Sequence, residues 1–269
     1  MTIRDRTPGH GGAAAEVRTG APHPARIYDY WLGGKDNFAE DRREARRALK
    51  RVPEFVDYAV ANRRFLVRAA RFLCQVGITQ FLDLGSGLPT SPNVHEIAQA
   101  ADPAARVVYV DNDPMVYAHA QALAGKSPRV EALLADLRDA DEVLHAAERV
   151  LDLGRPVALM FVGCLHHLAD KDDPAGVVAR YAAATAPGSY LVLSHGTGEF
   201  APERMRDASA EASRLGFTFM PRSRDDIVAM FGGRALVEPG LVLVPHWRPD
   251  GIVGPAARRA WAYGAVAPL

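Results

Sequence analysis

From residue 80 onward the chain alternates two patterns. Short apolar runs at Gln80–Leu84, Val107–Val110, Val130–Leu134, Val157–Val162 and Tyr190–Ser194 have strand length. In VVYV, VALMFV and YLVL they are nearly continuous, as strands buried on both faces of a parallel sheet are. Between them lie segments near Asn93–Ala101, Pro114–Ala124, Asp141–Leu151 and Pro174–Ala186 in which apolar positions recur at helical spacing. This alternation predicts an α/β domain with right-handed crossovers around a mostly parallel sheet. Two further helical stretches, Pro202–Leu215 and Arg224–Phe231, precede two β-like runs, Leu241–Pro245 and Trp261–Val266.

Before residue 80 the pattern is helical. Ala39–Arg51 carries Arg42, Arg43, Arg46, Arg47 and Lys50 at i, i+4 spacing, and Pro53 ends it. A second helix is expected over Glu54–Gln75, with Phe65, Ala69, Phe72, Leu73 and Val76 on the inner face and Arg64, Arg68 and Arg71 outside. Gly77 stops it. Ahead of both, Ala25–Phe38 is dense in aromatics and holds the Gly33-Gly34 turn. Residues 1–24 lack the apolar content to offset their ordering entropy and are expected to be a disordered tail. Residues 25–269 then form a single domain.

Composition narrows the function classes. Formal net charge is zero, so no global field favours nucleic acid or a membrane surface. Residues 1–75 hold 15 Lys+Arg against 9 Asp+Glu, read as a solvated basic face. Cys74 and Cys164 are too few for a disulfide framework and lack zinc-ligand spacing, so no metal is expected. No apolar run reaches the ~18 residues that span a bilayer, and the N-terminal residues do not resemble a signal peptide. A cytoplasmic location is the default expectation.

The chemistry concentrates at the ends of the predicted strands. The first ends in Phe81-Leu82-Asp83-Leu84-Gly85-Ser86-Gly87, where two glycines let the backbone turn sharply and approach a ligand. Asp83 beside that turn suits a cofactor with a cationic amino-acid end. A dinucleotide fingerprint would carry a third glycine where Thr90 stands. Asp111 ends the second strand, placed to accept both ribose hydroxyls. Lying at a loop edge, it is expected to be replaceable with little effect on the fold. Asp113, followed by Pro114, is the nearby competitor or a helix cap. Asp136 follows the third strand, placed for an adenine amino group.

These segments, read together, resemble the successive motifs of class I methyltransferases. More narrowly, PARIYDYWLGGKDNFAEDR, FLDLGSGLPT, NVHEIAQAADPAARVVYVDNDP and APGSYLVLSH resemble a bacterial S-adenosyl methyltransferase family long carried as a domain of unknown function. The resemblance spans roughly residues 24–267. It implies a Rossmann-like sheet of seven strands, the last antiparallel, preceded by helices, with S-adenosylmethionine as cofactor. By position, Asp83, Gly85 and Gly87 would line its methionine end, Asp111 with Asn112 its ribose, and Asp136 with Leu137 its adenine. Val162-Gly163-Cys164-Leu165 would run beneath the sulfonium.

His166 and His167 are the candidate general bases, although one of them is expected only to pack under the cofactor. Cys164, preceded by glycine, reads as a small apolar filler. Tyr28, Tyr30, Trp31 and Phe38 are expected to form either a lid over the cofactor or a strap on the sheet. As a lid, Lys35 would reach the methionine carboxylate. The acceptor is expected to be a small molecule, taken between the N-terminal helices and the Thr197–Arg224 segment. No nucleic-acid or membrane partner is expected, and oligomeric state is not legible. The alternatives are a nicotinamide-dependent oxidoreductase and a non-catalytic S-adenosylmethionine-binding protein.

Overall fold

The computed structural model describes residues 18–269. Three helices come first: α1 (Pro24–Trp31), α2 (Ala39–Arg51) and α3 (Phe55–Gln75). Strands and helices then alternate through β1 (Gln80–Leu84), α4 (Val94–Ala101), β2 (Arg106–Asp111), α5 (Pro114–Ala124) and β3 (Val130–Leu134). The alternation continues with α6 (Ala140–Ala147), β4 (Ala158–Val162), α7 (Pro174–Ala183) and β5 (Tyr190–Gly196). Helices α8 (Pro202–Arg214) and α9 (Arg224–Ala229) precede β6 (Val242–Leu243) and β7 (Ala262–Pro268).

These strands form one seven-stranded sheet in the order β3-β2-β1-β4-β5-β7-β6. β1 through β5 run parallel, and β7 is antiparallel to both β5 and β6. The order reverses between β1 and β4, so the loops leaving their carboxyl ends diverge and open a crevice there. This is the seven-stranded, mostly parallel sheet with its last strand antiparallel that the resemblance implies.

Alternation along the strands sorts side chains into two layers. Phe81, Val107 and Met160 face Phe65, Leu73 and Trp247 on one side of the sheet. Leu82, Leu84 and Phe161 pack with Val143, Tyr181 and Phe231 on the other. Asp83 shares the face of Phe81, which turns it toward α3. Among the described residues no helix is long and apolar enough to cross a membrane.

Several expectations change. Residues 1–17 of the expected tail lie outside the described residues. Arg18 and Ala21 are tied in by the Arg26 guanidinium, which donates to their carbonyls at 3.3 and 3.2 Å. Pro24 is already the first residue of α1, capped by the His23 ring. Arg68, expected outside, is buried and donates to the carbonyls of Trp247 (2.8 Å) and Val244 (2.6 Å). That diversion, with Pro245, cuts the expected Leu241–Pro245 strand to two residues. Val76, placed on the inner face, is 43% exposed because α3 ends just before it. Part of the basic face of α2 is engaged by carboxylates: Arg43 and Arg47 reach Glu44, and Arg47 and Arg51 reach Glu211.

Candidate active site

The loop after β1 is held by β2. Gly85 and Ser86 donate their N–H groups to the Val110 carbonyl, at 2.8 and 3.1 Å. Gly85 and Gly87 take φ of +68° and +65°, a region side chains rarely enter. A methyl group on Gly85 would also lie 2.5 Å from Cys164 Cβ. Cys164 is thus the filler that closes beneath the loop, and burial raises its thiol pKa. The Leu137 side chain sits beside the same glycine.

Asp111 at the end of β2 is the loop's anchor. One carboxylate oxygen accepts from Gly87 N–H at 2.9 Å and the other from Asp113 N–H at 3.0 Å. Burial pushes its pKa up, against the pull of these two bonds. The expectation that Asp111 is replaceable without touching the fold is therefore corrected, because it is only 8% exposed and joins two backbone segments. Asp113 is the cap of α5, accepting from Met115 N–H (2.7 Å) and Val116 N–H (3.3 Å). Its other oxygen faces His23 Nδ1 at 3.1 Å and Arg26 Nε at 3.3 Å. With Asp113 so engaged, Asp111 is the acid that faces the glycine loop. Asn112 beside it is exposed. Asp136, after β3, is gripped by Arg138 Nη2 at 2.6 Å and Nε at 3.0 Å, which lowers its pKa.

α3 contributes residues that the sequence pattern did not single out. Tyr58, Asn62 and Arg63 run along the face that meets the β1 and β4 ends. Arg63 lines a polar recess with Asp83, Ser86 and Gly87 and donates to the Pro92 carbonyl at 2.7 Å. Asn62 donates to Tyr28 Oη at 3.2 Å and accepts from Ser194 Oγ at 2.5 Å. Gly163, with φ +74°, stands against them: a methyl group there would be 2.7 Å from Asn62 Nδ2 and 3.0 Å from Tyr58 Oη. The available signal was a buried asparagine on an otherwise apolar helical stripe. Asp83 is buried in the recess with Arg63 as its nearest cation, and burial lifts its pKa to about 7.

The described residues also enclose a larger, mostly apolar cavity. It encloses about 740 Å³, counting space open to solvent, between α1–α3 and the chain from α8 to Phe219. Tyr28, Trp31, Phe55, Tyr58, Phe217 and Phe219 supply its rings, and His166 and His167 border it. Both histidines sit on the 3₁₀ turn Leu165–His167 after β4, and burial depresses both pKa values, that of His167 to about 4. Arg222 holds the turn, donating to the carbonyls of Leu165 (3.3 Å) and Leu168 (3.0 Å) and to Asp170 (2.7 Å).

The N-terminal candidates divide. Tyr28 lies in the cavity wall, its hydroxyl donating to the Ala59 carbonyl at 2.9 Å, and burial raises its pKa to about 12. Lys35 is exposed. The Gly33-Gly34 turn is pinned: Gly34 N–H donates to the Asp29 carbonyl at 2.9 Å, and Asn37 Nδ2 reaches Asp29 Oδ2 at 2.7 Å.

Three buried polar atoms at these sites have no hydrogen-bond partner among the described residues: Arg63 Nε, Ser86 Oγ and Tyr58 Oη. Such orphans are costly unless a ligand completes them. With the open glycine backbone and the Asp111 carboxylate, Arg63 Nε and Ser86 Oγ fit a cofactor carrying an amino acid at one end and a nucleoside at the other, while Tyr58 Oη stands in the wall of the aromatic cavity. The chain matches the model of the S-adenosyl methyltransferase family over residues 10–269. It is similar to a DUF574 family protein from Streptomyces avermitilis at 40% identity and TM-score 0.88, covering 94% of this chain and 99% of that one. A proposed methyltransferase from Thermobifida fusca matches at 42% identity and TM-score 0.88, covering 94% and 96%. No curated protein matches the chain. Nothing in the family or these relatives supports the nicotinamide alternative.

Proposed function

This chain belongs to the S-adenosyl methyltransferase family, and we propose that it transfers the methyl group of S-adenosylmethionine to a small molecule held in the aromatic cavity. The observation that supports this reading is the position of Tyr58. Tyr58 lines the cavity and stands 3.0 Å from where a methyl on Gly163 would lie, below the expected place of the sulfonium.

In this reading the chain's work is placement. Asp83, Ser86 and Arg63 hold the charged amino-acid end, the first by its carboxylate and the last by its unpartnered Nε. Gly85 and Gly87 supply open backbone. Asp111, with Asn112 at its side, takes the ribose hydroxyls, while Asp136 and Leu137 border the adenine. When bound, S-adenosylmethionine supplies an electrophilic methyl on a sulfonium whose leaving group is a neutral thioether. The ring-lined cavity strips water from the acceptor and fixes its approach, which supplies much of the rate for such a displacement. A small acceptor is favoured over nucleic acid because the cavity is lined by aromatic rings and its Arg51 is paired with Glu211.

Cell extract incubated with the enzyme and methyl-labelled S-adenosylmethionine, followed by mass spectrometry, tests the reading. Label in a low-molecular-weight product is expected. Label confined to nucleic acid or protein would refute it.

A further inference from the structure

We propose that the acceptor is a neutral aromatic hydroxyl compound and that His167 Nε2 receives its proton during transfer. This inference rests on the small-molecule methyltransferase reading above. It starts from the tautomer of His167. The ring's Nδ1 lies 2.8 Å from the Thr218 carbonyl, and a carbonyl only accepts, so Nδ1 carries the hydrogen. A neutral imidazole then presents an unshared pair at Nε2. Neighbouring histidines are used differently. His195 donates from Nδ1 to the Gly196 carbonyl at 2.7 Å, and its Nε2 accepts from Arg222 at 3.1 Å. His166 faces Gly196 N–H through Nδ1 at 3.5 Å and packs edge-on against Tyr58, His195 and Phe219. Among the described residues, His167 is the member of this trio that borders the cavity with a ring nitrogen free to accept.

The ring is also fixed in place. His167 N–H donates to the Cys164 carbonyl at 2.9 Å, Met220 N–H to the His166 carbonyl at 2.7 Å, and Arg222 clamps the carbonyls on either side. A base that does not reorient between binding and reaction contributes more to rate than a mobile one.

The second argument is matching of donors and acceptors. Tyr58 Oη is buried without a partner and lines the same cavity, so the site offers one hydroxyl donor and one imidazole acceptor. A hydroxyl group satisfies both, giving its proton to His167 and accepting from Tyr58. An aromatic amine, its lone pair delocalised into the ring, satisfies only His167. A carboxylate would set its charge against the His167 lone pair.

Charge decides the rest. The ionised side chains on the wall are compensated: Arg47 and Arg51 lie 3.2 and 3.3 Å from Glu211, and Arg47 3.4 Å from Glu44. No unpaired cation is left on this wall among the described residues to receive an anionic ligand. The remaining lining is aromatic, including the stacked Trp31–Phe55 pair at 4.7 Å, and matches a planar, neutral ring system.

The step balances without another reactant. An acceptor oxygen lone pair forms the bond to the methyl carbon, and the carbon–sulfur bond breaks with its pair passing to sulfur. The hydroxyl proton moves to His167 Nε2, and the resulting imidazolium later returns it to water.

The test uses the full chain saturated with S-adenosylhomocysteine, whose binding is first measured by calorimetry. 2-Naphthol, naphthalene, 2-naphthylamine and 2-naphthoate are then titrated, read by tryptophan fluorescence and by the ¹⁵N resonance of His167 Nε2, assigned by comparison with His167→Gln. Expected is 2-naphthol binding about 10-fold or more tighter than the other three, a difference of about 1.4 kcal/mol, and moving that resonance. With S-adenosylmethionine, 2-naphthol should give its methyl ether. His167→Gln should lower kcat about 10²-fold with KM for 2-naphthol little changed. The ranking of the four probes by tryptophan fluorescence on the native chain stands even where that variant folds poorly. Equal or tighter binding of naphthoate or naphthylamine, or an unmoved resonance at saturating naphthol, overturns the inference. Failure of all four probes with S-adenosylhomocysteine bound overturns it alone, whereas failure of S-adenosylhomocysteine itself overturns the methyltransferase reading beneath it.

Discussion

Replacing Asp111 by alanine strips the acceptor from two backbone donors at once, Gly87 N–H at 2.9 Å and Asp113 N–H at 3.0 Å. A hydrogen bond to a charged group contributes roughly 1.5–3 kcal/mol, and a buried donor left unpaired costs about 1–3 kcal/mol. Water entering the vacated space recovers part of this, so Asp111→Ala should lose roughly 2–4 kcal/mol of stability with no ligand present. The same carboxylate is the proposed ribose ligand, so binding of S-adenosylmethionine should weaken about 10²-fold, near 2.7 kcal/mol. Asp111→Asn keeps one oxygen and serves one of the two donors, so it should show about half of each loss. Urea unfolding reads the first effect and titration calorimetry the second. An alanine variant as stable as wild type would show that the carboxylate does not hold the loop. A destabilised variant with wild-type affinity would pass the ribose role to another residue.

Three further outcomes follow from the site. Asp83, lifted to about 7 by burial from a usual 3.8, is largely protonated at pH 6. Binding a cationic amino-acid end should ionise it, so calorimetry in buffers of different ionisation enthalpy should register up to about one proton released at pH 6 and less at pH 8. Asp83→Asn should abolish that release. His167 and His195 are held neutral down to about 4 and 3, against a usual 6.5, so between these values and 6.5 the unfolded chain binds the extra protons. Stability should therefore be full above 6.5 and fall as pH drops through that window, by at most about 3 kcal/mol for His167 and about 5 kcal/mol for His195. Comparing urea midpoints with His195→Gln isolates its share from the opposite slope of Asp83; parallel curves would contradict it. Gly163→Ala places a methyl 2.7 Å from Asn62 Nδ2 at a positive φ, so it should cost about 1–3 kcal/mol and most of the activity. Wild-type kinetics in that variant would remove Gly163 from the site.

Strand–helix alternation made the sheet legible, because a strand buried on both faces must be apolar at nearly every position. Strand-end acids were legible for a related reason: a carboxylate closing an apolar run has few structural uses. What escaped depended on tertiary contacts. Tyr58, Asn62 and Arg63 sit on an ordinary amphipathic helix, and only the crossing of α3 over the β1 and β4 ends brings them to the glycine loop and Gly163. Arg68 reads as a surface residue until Val244 and Trp247 present their carbonyls to it. Asp111 was assigned to the right end of the right strand, but its grip on Gly87 and Asp113 was not visible, because backbone donors leave no mark in a sequence. The Gly33-Gly34 turn is legible from its two glycines, whereas the Asp29 and Asn37 contacts that fasten it are not.

In the proposed complex one cofactor lies across the β1–β4 switch point with its reactive centre turned toward the aromatic cavity. A crystal structure of the chain with S-adenosylhomocysteine tests this most directly. Both ribose hydroxyls should lie within hydrogen-bonding distance of the Asp111 carboxylate, the amino-acid end between Asp83 and Arg63, and the sulfur over Gly163 facing Tyr58 and His167. A ligand bound elsewhere, or one whose sulfur is walled off from the cavity, would contradict it.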